Sequence, residues 1–500
     1  MKDMNRATRL FLLALLATLP AFAAFSQEGT PFVDGRWEGL VDIRSDSEAL
    51  PEEEVFALRL FSADPETGSP QGGLVDMPSR GLFGFPMEEV GRDARGVSFT
   101  LRGKAPMKGR FELEAMGGGS AEGNAPLIGR MRLLSSKTEG EAEVLAEGGF
   151  SLSRSKETSR GRAYGTDYPI DTGRGILPGS LILPELEAGG APPLVLILSG
   201  AQADRDGNNY AVPGKSDSLL QLALALRDRG VASLRFDKRG AGMSYALVQD
   251  EGKLRFDDHI GDAAAALRVL AADRRFSSLS VVGFAEGALV GSCALESLPD
   301  AAFASPVPVV GIVALCASGK NELESVEEAL ASAPSELADE AGAIMAALKA
   351  GSTYPDPSPY FADYFNPSAQ AYLASLFARD ARASFAAVAK RCAALVVAGG
   401  SDLQVKRAES ELLASSASGA AYRVLGGMSH ALKAVGEDEE ANYASFTDPK
   451  LPLAEGLAEL IAAFAKGESL PGEAPAIADP SLVPAPGSEE AEDSGEGLAR

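Results

Sequence analysis

Much of this chain alternates between apolar runs of strand length and longer segments with helical periodicity. Runs 193–200 and 278–284 are almost continuously apolar, whereas 216–230 and 259–273 repeat their apolar residues at helical spacing. Strands that are apolar along their whole length are typical of a sheet covered on both faces, and intervening helices provide that cover. The region 164–466 therefore predicts an α/β unit with a mostly parallel sheet and helices on both faces.

This alternation is interrupted once. Residues 321–391 lack long apolar strand runs and contain acidic amphipathic helical segments. Apolar strands then resume at 393–400 and 421–427, and 453–467 predicts a closing helix. We therefore expect a helical cap insertion at 321–391 within the sheet-forming region.

The segments before and after this region have a different composition. Residues 30–154 contain short segments of period two, broken by Gly, Pro and Asp, which predict a small antiparallel β domain, either a barrel or a sandwich. Residues 155–163 are polar and predict a linker. Residues 468–500 are rich in Pro, Gly, Glu and Ala, a composition that predicts a disordered acidic tail.

The N-terminus has the pattern of a secretory signal peptide. Lys2, Arg6 and Arg9 precede an uncharged apolar run, and small residues follow at Ala21–Ala23. We expect residues 1–25 to be a signal peptide and the protein to be exported, either periplasmic or extracellular. A retained N-terminal anchor is the alternative. No later uncharged run has membrane length, so we expect no integral membrane segment after cleavage.

Charge and cysteine usage restrict the partners. The formal net charge is −24, from 46 Lys and Arg against 70 Asp and Glu, which disfavours binding to nucleic acid. Cys293, Cys316 and Cys392 lack the paired spacing of a disulfide framework or a metal site and are interpreted as small buried residues. We expect neither a metal nor another cofactor.

The stretch "GFAEG" at 283–287 follows an apolar strand and precedes a predicted helix. A nucleophile elbow requires this strand–turn–helix arrangement, with small residues at both flanks because strand and helix approach closely. Gly283 and Gly287 satisfy that requirement. The central residue is Ala285, so the hydroxyl of a serine nucleophile is missing.

Two further residues follow in the order that such a site needs. Asp402 comes just after one predicted strand, and His430 lies in the loop after the next. Nucleophile, acid and histidine occur in this chain order in serine hydrolases with a parallel sheet. The second histidine, His259, lies at a predicted helix start beside Asp257 and Asp258 and is interpreted as a helix-capping residue and not as a ligand.

These motifs carry a resemblance to a known family. Residues 164–466 resemble secreted α/β-hydrolases of the acyl-peptidase and carboxylesterase kind, which are serine aminopeptidase-like enzymes. The matching stretches are "ADRDGNN", "RFDKRGAGMS", "GFAEG", "GSDLQV" and "GGMSHALK". The resemblance implies an α/β-hydrolase fold, preceded by the β domain that such proteins often carry.

The resemblance also assigns roles to individual positions. It places the catalytic acid at Asp402, the histidine at His430 and an oxyanion-hole amide at Glu286. The nucleophile position falls on Ala285. The oxyanion loop, usually glycine-rich, falls on Gly200 and Ala201 and departs from the family pattern.

No other side chain is a convincing replacement nucleophile. Ser292 and Cys293 lie about 10 Å along the predicted helix, and Ser429 would have to fold back onto its own loop. The sequence therefore favours a pseudo-hydrolase that binds a small-molecule acyl ester or peptide-like ligand, or else a protein partner. The alternative is an active ester or amide hydrolase in which His430 and Asp402 activate water.

Overall fold

A computed structural model gives the arrangement of most of the chain. It describes residues 35–44, 53–61, 72–77, 82–93, 96–101, 109–116, 126–135, 143–154, 165–185, 190–201, 203–208, 215–248, 250–331, 335–362 and 364–472. The predicted signal peptide and linker lie outside the described residues, as does most of the predicted tail. No helix within the described residues is long and apolar enough to cross a membrane.

The first eight strands form a closed antiparallel barrel, which resolves the choice between a barrel and a sandwich. The barrel closes where the first strand pairs with the eighth, with Val41 opposite Phe150. Alternate side chains such as Phe56, Leu58 and Phe99 are buried in its core, as their period-two spacing predicts. The strands are β1 Gly35–Arg44, β2 Glu53–Phe61, β3 Gly72–Met77, β4 Leu82–Asp93, β5 Gly96–Leu101, β6 Gly109–Met116, β7 Leu127–Leu134 and β8 Val144–Arg154.

The remaining strands build the predicted mostly parallel sheet. Its order is β18-β17-β16-β15-β13-β14-β12-β9, and only the pairs that involve β12 are antiparallel. Strands β10 and β11 form a separate two-stranded ribbon. The strands are β9 Thr166–Asp167, β10 Ile170–Asp171, β11 Ile176–Leu177, β12 Gly179–Ile182, β13 Leu194–Leu198, β14 Ala232–Phe236, β15 Leu279–Phe284, β16 Val309–Leu315, β17 Ala393–Gly399 and β18 Ala421–Leu425.

Helices cover both faces of this sheet. In β15, Val281 belongs to the hydrophobic core on one face and Val282 to the core on the other, because successive side chains of a strand point to opposite sides. Helices α2, α3 and α7 pack on the first face, and α1 and α10 pack on the second. The helices are α1 Ser218–Arg227, α2 Phe256–Ala271, α3 Glu286–Glu296, α4 Glu322–Ala331, α5 Ala338–Lys349, α6 Gln370–Phe377, α7 Ala381–Ala389, α8 Arg407–Ser415, α9 Glu439–Ala444 and α10 Leu457–Lys466.

The segment between β16 and β17 is helical, and helices α4–α6 have a small hydrophobic core of their own. Ile344, Phe361 and Phe365 are among its buried members. In contrast, Phe385 of α7 is completely buried in the core beneath the main sheet. The independent packing unit therefore ends before α7, and α6 lies between the two cores.

Candidate functional site

The chain reverses sharply between β15 and α3, at Ala285. Its backbone has φ 49° and ψ −119°, a combination that is uncommon for a residue with a side chain. The backbone N–H of Ala285 donates to the carbonyl of Leu315 on the neighbouring strand, at 2.9 Å. Residues held in such sparsely populated conformations cost about 1–3 kcal/mol and persist only when the surrounding structure imposes them. The turn therefore has the strained geometry of a nucleophile elbow.

Two glycines permit this turn. A Cβ on Gly283 would lie 2.3 Å from the Cα of Ala288, and one on Gly287 would lie 2.3 Å from the carbonyl oxygen of Leu198. Both obstacles are backbone atoms, which side-chain rearrangement cannot move. Glycine is thus required at both positions, for the reason given by the sequence pattern.

An acid and an imidazole are paired at the same edge of the sheet. Nδ1 of His430 lies 2.9 Å from Oδ2 of Asp402. Oδ1 of Asp402 accepts the backbone N–H groups of Gln404 and Val405, both at 2.8 Å, which fix the carboxylate. The His430 ring packs between Phe284 and Phe446, with ring centroids 5.1 and 6.4 Å away. The imidazole is therefore oriented as a general base would be.

The loop after β13 faces the elbow. A Cβ on Gly200 would lie 3.4 Å from the Cβ of Ala285. The ammonium of Lys238 donates a hydrogen bond to the Gly200 carbonyl and another, at 3.2 Å, to the carboxylate of Glu286. Lys238 thereby connects the loop predicted to bind an oxyanion to the first residue of α3. Ala201 is exposed and borders a cavity above the elbow.

Comparisons with known proteins give limited information. The sequence matches no family model and no curated protein. Among solved structures, the chain is similar to Est1E from Butyrivibrio proteoclasticus, with 13% identity over 60% of this chain and 96% of that chain, at a TM-score of 0.36. An esterase from Pyrococcus furiosus has 16% identity over 62% and 92%, at a TM-score of 0.35. The enol-lactonase from Burkholderia xenovorans has 14% identity over 52% and 91%, at 0.32.

The order of the site residues along the sheet identifies the fold. Ala285 follows β15, Asp402 follows β17 and His430 follows β18, in a mostly parallel sheet with helices on both faces. An elbow between strand and helix, followed in order by the acid and the histidine, is characteristic of one architecture. This is the α/β-hydrolase fold. The predicted fold class, including the preceding β barrel, is confirmed.

In this α/β-hydrolase unit, a cavity of about 820 Å³ opens over the elbow. Ala285, Glu286 and His430 border it, together with Gly200 and Ala201 from the loop after β13. The structure therefore brings all the sequence-predicted site positions to one cavity or directly beside it, with Gly283 and Gly287 supporting the turn. Helix α6 and the segment before it contribute further lining residues, which include Tyr364, Tyr372 and Leu373.

The side chains that were rejected as replacement nucleophiles from the sequence are all engaged elsewhere. The hydroxyl of Ser292 borders the cavity but donates to the carbonyl of Ala288 at 2.8 Å. The thiol of Cys293 is buried against Ser384, and completely buried Ser429 accepts the backbone N–H of Lys433. None of them takes the place of a serine at Ala285.

The structure also places a thiol beside the acid. Cys316 is completely buried, and its Sγ, one carboxylate oxygen of Asp402 and one ring nitrogen of His430 lie within 4.8 Å of one another. Burial and the Asp402 carboxylate raise the pKa of the Cys316 thiol well above its ordinary value. The thiol is therefore protonated and unsuited to nucleophilic attack. These three residues are the group among the described residues that could ligate a metal, and they coincide with the acid–histidine pair.

His259 differs most from its sequence interpretation. It lies in the first turn of α2, but its ring is 95% buried, borders the cavity and meets the edge of Tyr372 with centroids 5.6 Å apart. Burial, assisted by the Lys238 charge, lowers the pKa of His259 to about 4, so the imidazole is neutral. The missed signal was helical spacing, because His259 shares a face with the buried residues Ala263 and Leu267.

Two further residues that border the cavity were also not identified from the sequence. Lys238 and Tyr372 both bind the Glu286 carboxylate, the tyrosine hydroxyl donating at 2.9 Å. Burial would raise the pKa of Glu286, but the Lys238 charge and the Tyr372 hydrogen bond hold it below its ordinary value. Glu286 is consequently an ionised, buried carboxylate beside the elbow.

Proposed function

We propose that this chain is an exported pseudo-hydrolase that binds an acyl or peptide-like ligand without turning it over. The observation that carries the proposal is Ala285, which occupies the strained position of the nucleophile and offers only a methyl group. Around it, the acid–histidine pair, the elbow glycines and a cavity of about 820 Å³ are present. Binding needs that cavity, whereas covalent catalysis needs the missing hydroxyl.

A missing nucleophile removes most of the turnover of a serine hydrolase. Serine hydrolases form a covalent acyl intermediate, and removal of the nucleophile typically costs a factor of about 10⁶ in kcat. An oxyanion hole and substrate binding by themselves retain about 10³–10⁴ over the reaction in water. A protein limited to that residual rate acts mainly as a binding protein.

A second candidate function rests on the intact pair of His430 and Asp402. Their 2.9 Å contact keeps an imidazole oriented beside the cavity. Such a base could remove a proton from water during direct attack on an ester or amide. This route would need no side chain at position 285.

One set of proteins distinguishes these functions. Wild type, Ala285→Ser and the double variant Ala285→Ser/His430→Ala are treated with a fluorophosphonate and assayed on short-chain p-nitrophenyl esters. We expect wild type to be unlabelled and inactive. Ala285→Ser should gain labelling and weak esterase activity, because its new hydroxyl lies in the cavity bordered by His430. The double variant should lose both gains.

Each other result has a defined meaning. Strong labelling of wild type would show that another serine acts as nucleophile and would refute the proposal. Wild-type hydrolysis without labelling, abolished by His430→Ala, would establish the water-activating alternative.

Export is a separate part of the proposal and is supported by the basic, apolar and small-residue succession at the N-terminus. We expect the mature protein to begin shortly after Ala23 and to be found in the periplasm or outside the cell. N-terminal sequencing of protein recovered from those fractions tests this. Recovery of chains that still begin at Met1 from a membrane pellet would favour a retained anchor.

A further inference from the structure

Three hydroxyl groups on one wall of the cavity each donate to a glutamate. They belong to Tyr364, Ser368 and Tyr372, which follow one another at intervals of four residues. Their acceptors are the carboxylates of Glu322, Glu251 and Glu286 respectively, with the Ser368 and Tyr372 bonds at 3.1 and 2.9 Å. All six residues border the cavity. The segment between β16 and β17 thus contributes Glu322 and the three hydroxyl donors, whereas Glu251 and Glu286 come from earlier parts of the chain.

The cationic side chains that border the cavity already form ion pairs. Lys238 lies 3.2 Å from Glu286, Arg239 lies 2.8 Å from buried Asp262, and Lys320 binds Glu328 outside the cavity. In the part of the chain that the structure describes, no lysine or arginine nitrogen lies within 4 Å of the Glu322 carboxylate. Glu322 therefore adds a negative charge that these ion pairs do not neutralise.

The two tyrosines show how close the carboxylates are. Burial raises the pKa of both Tyr364 and Tyr372, and both Glu286 and Glu322 raise it further. The phenols are thus neutral, and both carboxylates are near enough to act on both rings. The Lys238 ammonium offsets the Glu286 carboxylate, so the charge of Glu322 remains beside two neutral phenols.

A buried polar atom at the same wall has no partner. Nδ1 of His259 is inaccessible to solvent and makes no hydrogen bond with the described residues, although the ring borders the cavity. An unsatisfied buried polar group costs about 1–3 kcal/mol. The imidazole is uncharged, so it does not offset the charge of Glu322. The ring therefore borders the cavity as a neutral group.

We infer that the cavity is selective for ligands that carry a primary ammonium group, bound at Glu322 among the rings of Tyr364 and Tyr372. An ammonium ion supplies three donors and one positive charge, which complement the carboxylate and balance the net charge of the wall. Aromatic faces add a favourable interaction with a cation. Leu289, Leu373 and Leu376 provide apolar surface for the rest of the molecule. This inference rests on the proposed ligand-binding function and names its ligand class.

Three probes of equal length test the charge preference. Calorimetric titration of the full-length protein with 4-phenylbutylamine, 4-phenylbutan-1-ol and 4-phenylbutyrate compares positive, neutral and negative head groups on one apolar body. We expect the amine to bind about tenfold more tightly than the alcohol, since a hydrogen bond to a charged group contributes about 1.5–3 kcal/mol. The butyrate should bind most weakly. Raising the salt concentration should reduce the preference for the amine.

Glu322→Gln is the decisive variant, because it removes the charge and keeps the shape of the side chain. In this variant the amine and the alcohol should bind about equally well, and the affinity for the alcohol should be the same as in wild type. Glu327→Gln is the matched control, since Glu327 lies on the same helix and pairs with Lys349 without bordering the cavity. Unchanged alcohol binding also shows that the variant cavity is intact.

The outcomes separate this inference from the proposal beneath it. If alcohol and amine bind equally, or the butyrate binds best, the ammonium inference is wrong and ligand binding stands. Retention of the amine preference in Glu322→Gln would also overturn it. If none of the three probes binds wild type, both the inference and the proposed binding function fail. Turnover by wild type with intact amine preference would refute only the absence of catalysis.

Discussion

Asp402 holds the imidazole of His430 at 2.9 Å even though the neighbouring elbow offers no hydroxyl for that imidazole to activate. The pair is supported on both sides, by backbone N–H groups on the acid and by Phe284 and Phe446 on the ring. These contacts contribute to packing and do not depend on a serine. The geometry of the pair therefore does not require a serine at position 285.

The first prediction concerns the acid. In the Ala285→Ser background, Asp402→Asn should lower esterase activity by up to about 10⁴, because an amide selects the wrong imidazole tautomer. Asp228→Asn provides the control, since Asp228 is exposed and pairs with Arg227. Initial rates on p-nitrophenyl butyrate are the measurement. Equal activity of the two variants would show that Asp402 does not orient His430 for catalysis.

A second prediction concerns the glycine after the elbow. Gly287→Ala should destabilise the protein by about 1–3 kcal/mol, because the new Cβ would lie 2.3 Å from the Leu198 carbonyl oxygen. Gly342→Ala is the matched control, since a Cβ there meets nothing within 4 Å in the middle of α5. It should stabilise by about 0.5–1 kcal/mol. Urea unfolding of both variants tests the pair, and similar effects would contradict the proposed close approach.

The strain at the elbow gives a third prediction. Ala285→Gly should stabilise the protein by up to about 1 kcal/mol, because glycine adopts positive φ without the steric cost but is more flexible when unfolded. Ala294→Gly, within α3 and completely buried, should instead destabilise by about 1 kcal/mol or more. Thermal unfolding compares them. Destabilisation by both substitutions would indicate that position 285 is unstrained.

The fourth prediction concerns Cys316. Its raised thiol pKa and complete burial should make it the slowest of the three cysteines to react with iodoacetamide at pH 8.5. Asp402→Asn should increase its rate, because removing a carboxylate that raises the thiol pKa increases the thiolate fraction at that pH. Peptide mass spectrometry over time follows each cysteine. Rapid native labelling of Cys316 would contradict its placement.

The barrel and the α/β-hydrolase unit are predicted to be separate domains, which provides the fifth prediction. Residues 155–163 are polar, and each flanking region has a hydrophobic core of its own. Brief treatment with a protease of low sequence specificity should cut first within these residues or in the tail. Mass spectrometry of the early fragments would show this. Early cleavage inside the central strands β13–β17 would refute the division.

Some of this architecture could be derived from the sequence because the controlling signals are local. The apolar run of β15, the flanking Gly283 and Gly287, and the helical pattern after them define a strand–turn–helix within a few residues. The period-two spacing of Phe56, Leu58 and Leu60 likewise defines which side of β2 is buried. Chain order then placed Ala285, Asp402 and His430 after three different strands of the sheet.

Other relationships depended on the tertiary structure. The placement of β13 between β14 and β15, the contact of β1 with β8, and the approach of Tyr372 to Glu286 join residues far apart in the chain. Periodicity shows which face of an element is buried, but not which distant element covers it. For this reason the sequence indicated only a small buried residue at Cys316 and a helix-start residue at His259. Folding places Cys316 against Asp402 and His259 beside the cavity.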